Sequence, residues 1–169
     1  MFVFTSVNNQ TNANKDLKDT QSIIKALYLY NFATLTDWPQ KQKQGSFVIG
    51  VLSTDDKVFT QITKKYSHRS IGNQKIKVVK YTTVNSITKT NILFLDKSKS
   101  QYISAVNTKL KNTNTMLVTN RTGYLNKGAV INFVVVNNKQ SYEVNVKNAK
   151  KKKLVLATKL IELATKKIE

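Results

Sequence analysis

Few side chains in this sequence stand where they could do chemistry. His68 is the only histidine and there is no cysteine, so a transition-metal centre, which draws on imidazole and thiolate, has no donor set. Nine carboxylates are present, and general acid–base hydrolysis needs two of them close together, or one beside a nucleophile. Asp55 and Asp56 fall where a helix should begin, and acidic groups are favourable in a first turn. Glu162 and Glu169 belong to a terminal helical stretch, Asp37 can pair with a nearby lysine, and Glu143 alternates with Tyr142 and Val144 as a structural ion-pair partner would. Asp96 is different: it follows the apolar run Ile92–Leu95, at the strand end where open α/β sheets hold their sites. It has no identifiable partner acid or nucleophile, so capping of the following helix is its expected role. The five glycines are scattered without the spacing of a phosphate loop, and no serine stands in a GxSxG elbow. The sequence therefore nominates no catalytic residue, no cofactor-binding residue and no metal ligand, and reads as a non-enzymatic protein without a cofactor.

What remains is binding. Tyr28, Tyr30 and Phe32 flank Asn31, with Trp38-Pro39 just beyond and Tyr124 further on. Tyrosine and tryptophan supply large contact areas at low entropic cost, so Tyr30, Asn31, Trp38, Pro39 and Tyr124 are the candidate partner-binding residues; Tyr28 and Phe32 are expected to pack inward. Charge suggests a second kind of partner, since 28 basic residues against 9 acidic ones give a formal +19. Only Arg69 and Arg121 are arginine, however, and bidentate reading of bases or phosphates wants the arginine fork. With asparagine also abundant, the excess reads as lysine–asparagine composition bias, and no nucleic-acid partner is expected. The charge would still draw the protein toward acidic surfaces. No apolar run approaches the roughly 18–20 residues that span a bilayer, so the chain is not expected to cross one.

The elements alternate. A helix pattern opens at Asp19 or Thr20 and runs through Ile23, Ile24, Leu27, Tyr28, Leu29, Phe32 and Leu35, with Pro39 as its stop. Phe47–Leu52 reads as a buried strand, a helix capped near Ser53 or Thr54 carries Val58, Phe59 and Ile62, and Lys75–Tyr81 alternates like a strand near an edge. A short turn of helix at Thr83–Ile87, a strand at Ile92–Leu95, a helix from Ser98 to Leu110 and a strand at Thr115–Thr119 follow. Such alternation implies parallel strands joined by right-handed crossovers. Then Val130–Val136 and Gln140–Val146, separated by Asn137-Asn138-Lys139, read as an antiparallel hairpin, because asparagine tolerates the left-handed conformation a tight turn needs. Asn145 is placed to cap a final helical region that carries Leu154, Leu156, Leu160 and Leu163, interrupted by a solvated turn at Lys150–Lys153. With no repeat and no linker, residues 16–169 are expected to form one α/β domain. Residues 1–15 are set aside as a leader or the remnant of a signal peptide: Met1–Val7 is apolar, but it lacks a basic segment ahead of it.

The ordered landmarks resemble a known family. The string IIKALYLYNFATLTDWP (Ile23–Pro39), then FVIGVL, NILFLD, GAVINFVVVNNKQSYEVNV and LVLATKLIELA, is similar to the YfiR family of bacterial periplasmic proteins over residues 20–167. The resemblance implies a Rossmann-like, three-layer α/β domain with a mostly parallel sheet, a C-terminal hairpin and no nucleotide site. It also implies a periplasmic regulator that binds and represses the sensor domain of an inner-membrane diguanylate cyclase, and so acts on cyclic di-GMP and biofilm. A histidine kinase is the other membrane partner the resemblance allows, with an outer-membrane lipoprotein and a second copy of the chain as further partners. Family members that respond to redox state use disulfides, which a chain without cysteine lacks. The other functional reading is a periplasmic module for a small ligand or polyanion, its site in the crevice near Ser53, Asp96 and Thr119.

Overall fold

Three apolar runs, FVIGVL, ILFL and MLVT, form the middle of the sheet. A computed structural model describes residues 7–169, with side chains from Leu17 onward apart from Lys18. The strands are β1 (Thr36–Asp37), β2 (Phe47–Leu52), β3 (Ser70–Ile71), β4 (Gln74–Tyr81), β5 (Ile92–Leu95), β6 (Met116–Thr119), β7 (Ile131–Val136), β8 (Lys139–Asn145), β9 (Val155–Leu156) and β10 (Lys167–Ile168). The helices are α1 (Val7–Thr34), α2 (Lys57–Tyr66), α3 (Ile103–Leu110), α4 (Val146–Lys151) and α5 (Thr158–Glu162), with 3-10 segments at Gln40–Gln42, Lys97–Tyr102 and Tyr124–Lys127.

The main sheet runs β10-β8-β7-β6-β5-β2-β4-β3, and its five central strands, β4-β2-β5-β6-β7, are parallel. From β2 the chain crosses to β4 on one side, then returns past β2 to β5 and continues through β6 to β7. One core layer, built on Leu29, Phe32, Ile49, Ile62 and Phe94, lies under α1 and α2; the other, on Leu93, Leu95, Val106 and Leu117, lies under α3. This is the three-layer α/β architecture that the alternation implied. Gly50 in β2 is required by packing: a Cβ there would sit 2.5 Å from the ring of Tyr81. The hairpin forms as expected, with Asn137 and Asn138 both at positive φ (48° and 60°) in a two-residue turn and Val136 opposite Lys139.

Several expectations need correction. The helix expected from Asp19 or Thr20 begins at Val7; of the expected leader, residues 1–6 lie outside the described residues, and residues 7–15 are the first turns of α1. Its buried side is Ser22, Ala26, Leu29, Phe32 and Ala33, whereas Ile23 and Leu27 face outward. Apolar residues occur all round this segment, so spacing alone did not select the face; small Ser22, Ala26 and Ala33 let the backbone approach the sheet. Thr83–Ile87 is a turn in which Thr83 and Ser86 exchange hydrogen bonds, not a helix. The expected closing helix is broken into pieces: β9 pairs antiparallel with β1, Ala157 N–H donates to Leu35 carbonyl at 2.8 Å, and β10 lies parallel to β8.

Candidate ligand crevice and partner-facing surface

Where the connections after β2 and β5 leave in opposite directions, a crevice opens between the strand ends and α1. Its walls are fixed by short bonds. Asp96 N–H donates to Leu52 carbonyl at 3.0 Å, and Thr54 N–H donates to Ser98 Oγ at 3.2 Å, tying the two loops together. Asp96 Oδ2 accepts from Ser98 N–H at 2.9 Å and Oδ1 accepts from Asn120 Nδ2 at 2.8 Å, while Asn120 Oδ1 accepts from Lys97 N–H at 2.5 Å. Burial pushes the Asp96 carboxyl up, but the bonds from Ser98 and Asn120 and the charge of Lys25 outweigh it and hold the group below its ordinary value. Asp96 is thus a helix cap and loop anchor, as its position suggested.

Of the other residues named for the crevice, Ser53 is buried with Oγ accepting from Asp55 N–H at 3.2 Å. Thr119 is turned into the sheet, donating to Asn132 Oδ1 at 2.7 Å. The side chains that line the opening are ones the sequence did not single out. Gln21, Lys25, Lys97 and Asn120 are common to two adjoining clefts of about 300 Å³ and 310 Å³. The first continues to Asp55, Lys57 and Asp96; the second continues to Phe133, Val134 and Val135. Lys57 is occupied by Asp19 at 2.6 Å. The Lys25 ammonium is half-buried, and desolvation, with Lys97 adding to it, lowers its pKa against the opposing pull of Asp96 and Asp55. The crevice can therefore hold a small polar ligand; its two carboxylates, Asp55 and Asp96, each accept a backbone N–H of their own loop. His68 is exposed, and no group of three metal-ligating side chains occurs among the described residues.

The aromatic candidates separate. Trp38 is buried, with Nε1–H donating to Ala33 carbonyl at 3.1 Å and its ring edge-on to Phe47 at 5.1 Å. Tyr124 is buried too, its hydroxyl donating to Ser100 carbonyl at 2.9 Å. Neither is the exposed contact residue expected; each fills a core gap and satisfies its polar atom inside. Pro39 and Asn31 are half-buried. Tyr30 is half-exposed, stacked on Tyr66 at 4.6 Å with the Arg69 guanidinium 5.7 Å from its ring. Tyr28 and Phe32 pack inward with Phe133 and Tyr142, as anticipated. The large apolar residues that do face solvent are Leu17, Ile23 and Leu27 on α1, Tyr102 in the 3-10 segment before α3, Val135 and Val136 on the hairpin, Val155 on β9, and Leu163.

Among the described residues no helix is long and apolar enough to cross a membrane. The family model described as YfiR/HmsC-like matches residues 22–165, from the buried face of α1 to the strand-joining segment after α5. This chain belongs to the YfiR/HmsC-like family. The family as a whole is associated with periplasmic regulation of diguanylate cyclase signalling. No curated protein matches it significantly. Two solved structures are similar in fold: an ABC domain in complex with L-Trp from Streptococcus pneumonia (TM-score 0.55, 10% identity, 73% of this chain and 55% of that one), and a conserved domain protein from Vibrio cholerae (TM-score 0.53, 9% identity, 71% and 54%). The chain spans about half the length of either. At such identities the likeness concerns the fold alone, and it agrees with the mostly parallel α/β sheet of this YfiR/HmsC-like protein.

Proposed function

We propose that this YfiR/HmsC-like protein binds the periplasmic sensor domain of an inner-membrane diguanylate cyclase and represses it, lowering cyclic di-GMP and restraining biofilm. The family match across residues 22–165 carries the reading. The surface supports it: Ile23, Leu27 and Tyr30 recur along one side of α1, apolar or aromatic, and end beside Arg69. Grouped exposed apolar residues on a folded surface mark interaction sites, and the +19 charge favours encounter with an acidic sensor surface. Since the chain has no cysteine, release of the partner does not run through oxidation of this chain's own thiols.

Deleting the gene in its host should raise cyclic di-GMP, and the tagged protein should co-purify with a cyclase from solubilised membranes. An unchanged cyclic di-GMP level together with co-purification of a histidine kinase would move the partner to the kinase class. No change in second messenger and no co-purifying sensor would end the proposal.

A further inference from the structure

The crevice contains a feature that repression of a membrane protein does not use. Lys25 projects from the sheet-facing half of α1 into the opening beside Lys97, and neither ammonium has a hydrogen-bond or ion-pair partner among the described residues. Elsewhere the protein spends its few carboxylates on such charges: Lys43 pairs with Asp37 at 2.8 Å, Lys57 with Asp19 at 2.6 Å, and Lys80 with Asp56. A half-buried ammonium without a direct ion pair, balanced only at longer range by Asp96 and Asp55, is stabilised when an anion meets it. The nearby carboxylates attract it without pairing directly: the Asp96 oxygens take bonds from Ser98 and Asn120, and Asp55 Oδ1 accepts from Lys57 N–H at 3.1 Å.

We infer that this crevice binds a small ligand through an oxyanion, a carboxylate or a phosphate, held between Lys25 and Lys97 with the amides of Gln21 and Asn120 completing the contact. The remainder of the ligand lies along Phe133, Val134 and Val135, the apolar end of the adjoining cleft. The position is the switch point of the sheet, where open α/β folds take their ligands, and the volume of about 300 Å³ lies at the lower end of the usual range for small-molecule sites. Burial lowers the Lys25 pKa, which makes the ammonium more responsive to an incoming negative charge. The inference stands on this geometry and not on the identity of the membrane partner.

The test titrates the purified chain, at constant ionic strength, with inorganic phosphate, acetate and hexanoate. Saturable one-to-one binding of at least one probe is expected; phosphate alone would indicate a phosphate ligand, and hexanoate above acetate a carboxylate with an apolar tail. Lys25→Met should weaken that binding by about tenfold or more, the loss of one charge-assisted contact. It should also raise the Tm of the unliganded protein, since the unpaired charge is gone. A Lys150→Gln/Lys151→Gln variant removes two charges far from the crevice and should leave affinity unchanged. Failure of all three probes to saturate, equal weakening by the remote pair, or a lower Tm for unliganded Lys25→Met would each overturn the site. Cyclic di-GMP levels do not enter the measurement, so this result and the repression result stand apart.

Discussion

Gly50→Ala should unfold the middle of the sheet more readily than so small a change suggests. The new Cβ would lie 2.5 Å from Cε2 and 3.1 Å from Cδ2 of Tyr81, and 3.1 Å from Cγ2 of Thr90. The ring cannot swing away freely, because Tyr81 is buried and its hydroxyl bonds Thr90 Oγ1 at 2.7 Å and Thr88 Oγ1 at 3.2 Å. Overpacking a filled core costs about 1–3 kcal/mol, and disturbing the buried Tyr81–Thr90 hydrogen bond costs about 0.5–1.5 kcal/mol. Against this, replacing glycine removes about 0.4–1 kcal/mol of unfolded-state entropy. The balance is a destabilisation of roughly 0.5–4 kcal/mol. Urea denaturation followed by circular dichroism reads it as a lower midpoint at unchanged slope. Tyr81→Leu in the same chain should recover part of the loss, because the shorter side chain frees the space the Cβ enters. A Gly50→Ala midpoint indistinguishable from the parent, or a Tyr81→Leu double variant with no coupling, would refute the packing argument.

Three further outcomes follow from the same description. Trp38→Ala should cost about 3–5 kcal/mol, the range for emptying a buried aromatic site, so any loss of repression in that variant should track a lower urea midpoint and vanish when folded protein is compared at equal concentration. Leu27→Asp, on the exposed side of α1, should change stability by less than about 0.5 kcal/mol yet abolish repression in a cyclic di-GMP assay; retained repression would remove α1 from the interface. The depressed pKa of Asp96 contributes stability that is present above the unfolded value of 3.8 and is lost as pH falls through the lower folded value. Acid unfolding of Asp96→Asn should therefore be shallower in that window, and an unaltered acid profile would count against the anchor role.

The legible parts of this fold are those decided by neighbours in the chain. Phe47–Leu52, Ile92–Leu95 and Met116–Thr119 are continuous apolar runs because both faces of a central parallel strand are covered. Asn137-Asn138 announces its turn through a backbone preference carried by the residues themselves. Asp96 sits one residue past its strand, so its capping role was visible, and Asn145 likewise accepts from Asn148 N–H at 3.0 Å. What escaped depends on distant partners. A two-residue strand such as β9 has no period, and exists only because Leu156 meets Thr36. Trp38 and Tyr124 carry the composition of contact residues, and only the completed core shows them enclosed. Lys25 is one of many lysines, and its burial without a direct ion pair is a property of the assembled crevice.

The pairing of β1 with β9 also bears on when the protein can fold. Thr36 waits for Leu156, and Val144 for the segment that leads into β10. A chain that emerges amino end first has neither closure until nearly all of it has been made. Contacts of such long sequence separation slow folding. The two-stranded β1–β9 ribbon thus ties the segment after α1 to the carboxyl-terminal segment, and it cannot close before that segment is present.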